Sequence, residues 1–185
     1  VGIKSYHRIV GGELATSLIT SRGCPYKCAF CDSPMTFHGI KYRSISSVIS
    51  EIELIINQYG IRHFIFYDDV FTLNRKRLYP LLEEFEKISI RFRCNGRADY
   101  NTYEDFARLK RAGCTVIAFG TETGDQGLLD KIHKGCTVEQ NLRAVKDAKR
   151  AGLITKVYLI VGIPGENKDT IEKTKEFIRQ ADPDE

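Results

Sequence analysis

No stretch of the chain approaches the roughly 20 consecutive apolar residues of a membrane-spanning helix, and no signal-peptide pattern is readable. Charge of one sign is scarce too: 28 Lys and Arg against 24 Asp and Glu leave a net +4. Many of those cations sit in segments that also carry acids, such as "EKTKEFIR" and "NLRAVKDAKR", as on solvated helix faces. Without a dense basic stripe, charge alone makes no case for nucleic acid. Cysteine is sparse and uneven: six in 185 residues, half of them between positions 24 and 31. A secreted disulfide framework is not laid out this way, and a reducing cytoplasm fits better.

What is there suits one soluble domain with a real core, at 42% hydrophobic and 28% charged residues. The chain opens on Val1 and stops at "ADPDE" just after a helix-like segment, which reads as a piece of something longer. Residues 1–13 are expected to be a linker remnant from an upstream domain, and 14–185 one domain truncated at its C-terminal end.

Short apolar or β-branched runs recur at 14–20, 62–68, 89–95, 114–121 and 155–162, with the length of buried strands. Amphipathic segments lie between them. In "SSVISEIELIINQYG" the apolar positions 48, 49, 52, 55, 56 and 59 keep helical spacing up to Gly60. Thr102 with Asp105, and Thr137 with Gln140, form capping boxes that open two later helices. Both helices end in "KRAG", at 110–113 and 149–152, where glycine supplies a left-handed cap before a strand. Pro80 falls inside an apolar pattern over 78–88, so that helix either starts late or is kinked. A last helix is expected over 167–181, and a sixth strand beyond Glu185.

Such alternation means βα units and a parallel sheet. Eight units need ~250 residues, so five units imply an open or partial barrel, with a doubly wound sheet as the competing arrangement. Polar residues gather at one end of these strands. Cys24, Cys28 and Cys31 follow the first, Asp68 and Asp69 close the second, and Asn95 and Arg97 the third. Glu122 closes the fourth and "GIPGE", 162–166, the fifth. A sheet built only for its core would not place them so.

The three clustered cysteines need a chemical reason. Structural zinc takes four ligands, usually as two separated pairs; no second pair exists, and His38 is the only nearby candidate. Disulfides would leave one cysteine over. An iron–sulfur cubane with three thiolates and one open iron suits the count best, because soft sulfur ligands select for it. Cys94, Cys114 and Cys136 read as free thiols, with Cys94 expected to face the barrel interior. His7, His63 and His133 carry no partner pattern.

With its Cys-x3-Cys-x2-Cys spacing and Phe30 before the last cysteine, the sequence resembles the radical S-adenosylmethionine (SAM) superfamily. "YDDVFT" (67–72), "GTETG" (120–124) and "GIPGE" resemble later family motifs in the right order. The wording is most similar to the branch with an upstream cobalamin-binding domain, which includes anaerobic Mg-protoporphyrin ester cyclases, methyltransferases and related methylthiotransferases. The resemblance covers about 14–181.

It implies an α/β fold, a partial (β/α)6 TIM-type barrel of parallel strands truncated at about the fifth to sixth unit. It also implies a [4Fe–4S] cluster on Cys24, Cys28 and Cys31 whose fourth iron is chelated by SAM, reductive cleavage to a 5′-deoxyadenosyl radical, and C–H activation or methyl transfer on an unidentified substrate. Asp68 or Asp69 would accept hydrogen bonds from the SAM ammonium, unless the pair merely caps the following helix. Glu122 would bind the ribose hydroxyls or the amino group. Arg97 would pair with the SAM carboxylate, with Asn95 assisting, unless Asp99 satisfies Arg97 as a simple ion pair. Gly162, Ile163 and Pro164 would approach the adenine, and Phe30 would offer it backbone and ring. An electron donor such as flavodoxin or ferredoxin is implied as a partner. Cobalamin would enter through a domain outside this chain, which lacks the D-x-H-x-x-G motif. The second reading is an RNA-binding module of a tRNA-modifying, methylthiotransferase-like protein.

Overall fold

Among the described residues, fifteen elements follow the expected alternation, with additions at the start. The computed structural model describes residues 8–10, 12–37 and 39–185. β1 (Arg8–Val10) turns back antiparallel on β2 (Glu13–Leu18). The stretch expected as a linker thus contributes an edge strand where it is described; its residues 1–7 and 11 lie outside the described ones, as do His7 and His38. A small hairpin, β3 (Ser21–Arg22) with β4 (Lys41–Tyr42), brackets a loop holding the short helix α1 (Ser33–Thr36). Then come α2 (Ile45–Tyr59), β5 (His63–Phe66), α3 (Arg75–Ile88), β6 (Arg91–Gly96), α4 (Tyr103–Arg111) and β7 (Cys114–Glu122). The chain finishes through α5 (Gln126–Lys131), α6 (Val138–Arg150), β8 (Ile154–Leu159) and α7 (Lys168–Ala181).

Local chemistry sets the boundaries. The Ser44 hydroxyl accepts the Ser47 N–H to start α2, and Gly60 ends it at φ 71°. The capping boxes at Thr102 and Thr137 are both formed. Gly113 adopts φ 96°, and a Cβ there would lie 2.0 Å from the Ile90 carbonyl oxygen, so glycine is required. Pro80 sits inside α3, which begins ahead of it at Arg75; the late start allowed by the sequence does not occur.

Strands β2, β5, β6, β7 and β8 pair parallel in that order. One core gathers Val48 and Ile52 of α2, Leu81 and Phe85 of α3, Phe106 of α4, Ala144 of α6 and Phe177 of α7 against Phe64, Phe66, Phe92 and Phe119 of the sheet. Phe66 stacks on Phe85 with centroids 5.3 Å apart, and Phe106 meets Phe119 edge-on at 5.8 Å. The helices therefore cover one face, as in a barrel wall, and the doubly wound alternative is ruled out. Alternation leaves Arg93 and Asn95 on the other face, while Cys94 points into the helix-covered core. Cys94 thus does not face the barrel interior; its sulfur lies 4.0 Å from that of Cys114.

Past α7 the chain returns alongside β8. Val157 N–H donates to the Glu185 carbonyl (3.0 Å), and the Asp184 and Glu185 N–H groups reach the Thr155 carbonyl (3.0 and 3.1 Å). These bonds tie residues 184 and 185 to the β8 backbone.

Asp105 ties the α4 cap to α3 through Arg75 (2.7 Å) and Tyr79 (2.8 Å). Burial pushes its carboxyl up, but the bonds from Arg75, the Thr102 N–H and Tyr79 outweigh that and hold its pKa at about 2. The folded value lies below the ordinary 3.8, so this stabilisation is present above that value and lost as pH falls through the folded pKa. Asp105→Asn is expected to lower the melting temperature at neutral pH and to flatten its fall between about pH 4 and pH 2, read by thermal melts across that window.

Candidate active site

The site begins where β2 ends. The Asp68 carboxylate accepts the Thr20 N–H (2.7 Å), the Thr20 hydroxyl (2.6 Å) and the Ser21 hydroxyl (2.6 Å), all buried. It is 0% exposed, and it ties the exit of β2 to the exit of β5. Asp69 turns the other way and accepts the Gly23 N–H (3.0 Å) beside Cys24. Neither caps α3, whose N-cap is Asn74. Of the two acids left open by the sequence, only Asp69 lines the cavity that the three cysteines share.

The loop from Gly23 is fixed twice more. Cys31 N–H donates to the Cys28 carbonyl (3.1 Å), closing a turn between two cysteines. Ala29 N–H donates to the Ile132 carbonyl (2.8 Å), hooking the loop to the end of α5. Cys24, Cys28 and Cys31 are free, half-buried thiols, and all three line one cavity of about 210 Å³. Burial pushes the Cys24 thiol above its ordinary pKa.

The opposite walls are strand ends: Asn95 from β6, Ala118, Gly120 and Glu122 from β7, and Tyr158 from β8. Glu122 sits at an irregularity in the β7–β8 register with φ 60°, a left-handed conformation rare for a residue with a Cβ. Such strain persists where surroundings impose it, often at functional sites. Its Oε1 accepts from Lys134 Nζ at 2.6 Å, and both side chains are almost wholly buried. A Cβ on Gly120 would stand 2.4 Å from that oxygen and 3.0 Å from that nitrogen, so glycine makes the room.

Arg97 touches the cavity, but its charge is committed. Its Nε pairs with Asp99 Oδ1 (2.6 Å), its terminal nitrogen donates to the Lys134 carbonyl, and its guanidinium lies 3.4 Å over the Tyr26 ring. Asn95 donates to the Asp68 carbonyl (3.2 Å). Phe30 is 48% exposed at the cavity mouth, with the Lys134 ammonium 5.7 Å from its ring centre. Gly162, Ile163 and Pro164 are not among the lining residues. Gly162 N–H is bound by Glu166 (2.8 Å), while Ile163 packs with Leu128, Leu129 and Ile132. Lys134 escaped the sequence reading; its one local signal was Gly135, which adopts φ 68°.

The donor set fits a cubane better than a single ion. Among the described residues no three of His, Cys, Asp and Glu are placed to hold one metal ion. Three soft thiols spread around a shared cavity suit a cluster that presents separate irons to each.

The model of the radical SAM superfamily matches residues 18–178. The chain belongs to that superfamily. This radical SAM chain is 36% identical over 171 residues to an uncharacterised methyltransferase of Pyrococcus horikoshii, covering 90% of itself and 37% of that protein. It is 33% identical over 168 residues to the anaerobic magnesium-protoporphyrin IX monomethyl ester cyclase of Rubrivivax gelatinosus, covering 89% and 30%. Among solved structures, the radical SAM methyltransferase TsrM from Kitasatospora setae, with cobalamin and a [4Fe–4S] cluster bound, shares its fold. The TM-score is 0.83 at 24% identity, over 93% of this chain and 36% of that one. The chain thus spans about a third of the length of these relatives. No helix among the described residues is long and apolar enough to cross a membrane.

Asp68→Ala would leave buried donors on Thr20 and Ser21 without an acceptor, each costing about 1–3 kcal/mol. It is expected to lower stability by at least about 2 kcal/mol in denaturant titrations. Gly120→Ala is expected to lower the melting temperature, read by thermal melts, because the added methyl displaces the buried Glu122–Lys134 pair.

Proposed function

We propose that this chain is the catalytic core of a radical SAM enzyme, with Cys24, Cys28 and Cys31 holding a [4Fe–4S] cluster. One observation carries the reading: the three free thiols share a single cavity with Asp69, Asn95 and Glu122, from the ends of successive strands, and with Lys134, from the loop after α5. When bound, the cluster supplies the electron that cleaves the SAM sulfonium to methionine and a 5′-deoxyadenosyl radical.

The chain's own residues bind and orient SAM. Asp69 accepts from its ammonium, a charge-assisted bond. Lys134 takes its carboxylate, because Arg97 is neutralised by Asp99 while the Lys134 ammonium lines the cavity. Glu122, released from Lys134 by that exchange, accepts from the ribose hydroxyls. Phe30 covers the mouth, and Gly162, Ile163 and Pro164 brace the neighbouring wall behind the adenine side.

Residues 14–185 act, on this reading, as one core domain of a longer cytoplasmic protein. Support for an upstream cobalamin domain comes from TsrM, solved with cobalamin bound. Relatives named as methyltransferases and as a cyclase support methyl transfer or C–H activation. Electrons would come from a flavodoxin or ferredoxin.

Anaerobic reconstitution with iron and sulfide is expected to give a brown protein with charge-transfer absorption, and dithionite with SAM to yield 5′-deoxyadenosine. Cys28→Ala should abolish both colour and cleavage; iron binding unchanged in that variant would refute the assignment. Lys134→Ala should retain the colour and raise the SAM Kd by at least about tenfold, the scale of one lost charge-assisted hydrogen bond.

A further inference from the structure

The hairpin that closes the cysteine loop carries an electrostatic conflict. Its two strands have two residues each, and their register sets Arg22 directly opposite Lys41. Like charges facing each other across a ladder destabilise it. Both side chains are exposed, and among the described residues neither has a carboxylate partner. Arg43 beside them is already held by Glu51. Lys27, between Cys24 and Cys28, is likewise exposed and unpaired.

The same loop exposes apolar surface. Met35 is 82% exposed, and Phe37 is 36% exposed although its Cβ abuts Gly23, next to Cys24. A cavity of about 850 Å³, lined in part by Arg22, Lys41, Ile19 and Tyr42, runs along the hairpin. Cations around exposed apolar side chains form the kind of surface that a transient protein partner of opposite charge uses. Met35 and Phe37 lie outside the cavity lining, so a small anion would not account for them.

We propose that this hairpin and loop are the docking face for an acidic one-electron carrier protein. The proposal rests on the radical SAM reading above, which requires one electron per SAM cleaved and places its destination on the loop between these two strands. The step balances simply: the carrier is oxidised by one electron, the cluster gains that electron, and no bond changes at the docking face. An acidic partner also removes the conflict, since it neutralises Arg22 and Lys41 together.

The test uses the reconstituted full chain and flavodoxin as the probe. Binding of oxidised flavodoxin, which needs no turnover, is measured by calorimetry at low and high salt, with melting temperature and dithionite-driven cleavage recorded in parallel. Arg22→Glu turns the cross-strand repulsion into attraction. It is expected to leave the melting temperature unchanged or higher while weakening flavodoxin binding by about tenfold or more. Lys41→Glu should do the same, and high salt should weaken the unaltered complex. Flavodoxin binding that is absent, salt-independent or unchanged in both variants, with dithionite-driven cleavage intact, overturns the docking face alone. A fall in melting temperature with the loss of binding would mark the pair as structural and overturn it as well. Transfer RNA binding more tightly than flavodoxin, and losing that binding in the same variants, would assign the face to RNA instead. Failure of dithionite-driven cleavage in the unaltered protein overturns the radical SAM reading and the docking assignment with it.

Discussion

The rest of the site depends on one buried carboxylate. Asp68 gathers the Thr20 amide and the Thr20 and Ser21 hydroxyls within 2.7 Å. Neighbouring parallel strands are joined only by ladder bonds that stop where the strands stop, and the loops beyond them would otherwise diverge. Asp68 extends the join between β2 and β5 past the ladder, and so sets where the cysteine loop departs. With Asp68 held, Asp69 is turned to the Gly23 amide and the cavity. Cys24 then follows directly on a fixed backbone amide rather than at the start of a free loop.

A second constraint works from the far wall. Glu122 and Lys134 are charges that would be costly to bury singly, and they are buried as a pair at 2.6 Å. The pair fits because Gly120 has no side chain and because Glu122 takes a left-handed turn where the β7–β8 register slips. Arg97 supports this wall from behind, its guanidinium held by Asp99 and Tyr26 while it donates to the Lys134 backbone. A zwitterionic ligand would offer its carboxylate to Lys134 and its ammonium to Asp69, leaving Glu122 to accept from hydroxyls, so the cavity already contains the charges that such a ligand would satisfy. Among the described residues, the exposed Arg22 and Lys41 of the cysteine hairpin have no carboxylate partner, whereas Glu122 neutralises Lys134.

Much of the fold was legible because its signals are local. The helices showed in apolar spacing, in the capping boxes at Thr102 and Thr137, and in the glycines of "KRAG". The elements that escaped lacked such signals: β1 is three residues of edge strand, and β3 and β4 are two residues each. Pro80 was legible as an anomaly, but whether α3 began before it depended on packing of Leu78, Leu81 and Leu82 on the sheet, which binds the whole helix face. The inward placement of Cys94 failed because alternation along β6 puts Cys94 on the same helix-covered face as Phe92, and Arg93 and Asn95 on the other.

By itself, the sequence determined the order of βα units, the end of the sheet where polar groups gather, and the three thiols. These follow from periodicity, capping and spacing, which act within a few residues. Only the tertiary structure decided among neighbours. It gave Asp68 to the scaffold and Asp69 to the cavity, satisfied Arg97 with Asp99, brought Lys134 to Glu122 across twelve positions, and set "GIPGE" against α5. Each of those outcomes depends on which distant group lies within about 3 Å of a side chain, and that distance exists only once the strands are side by side.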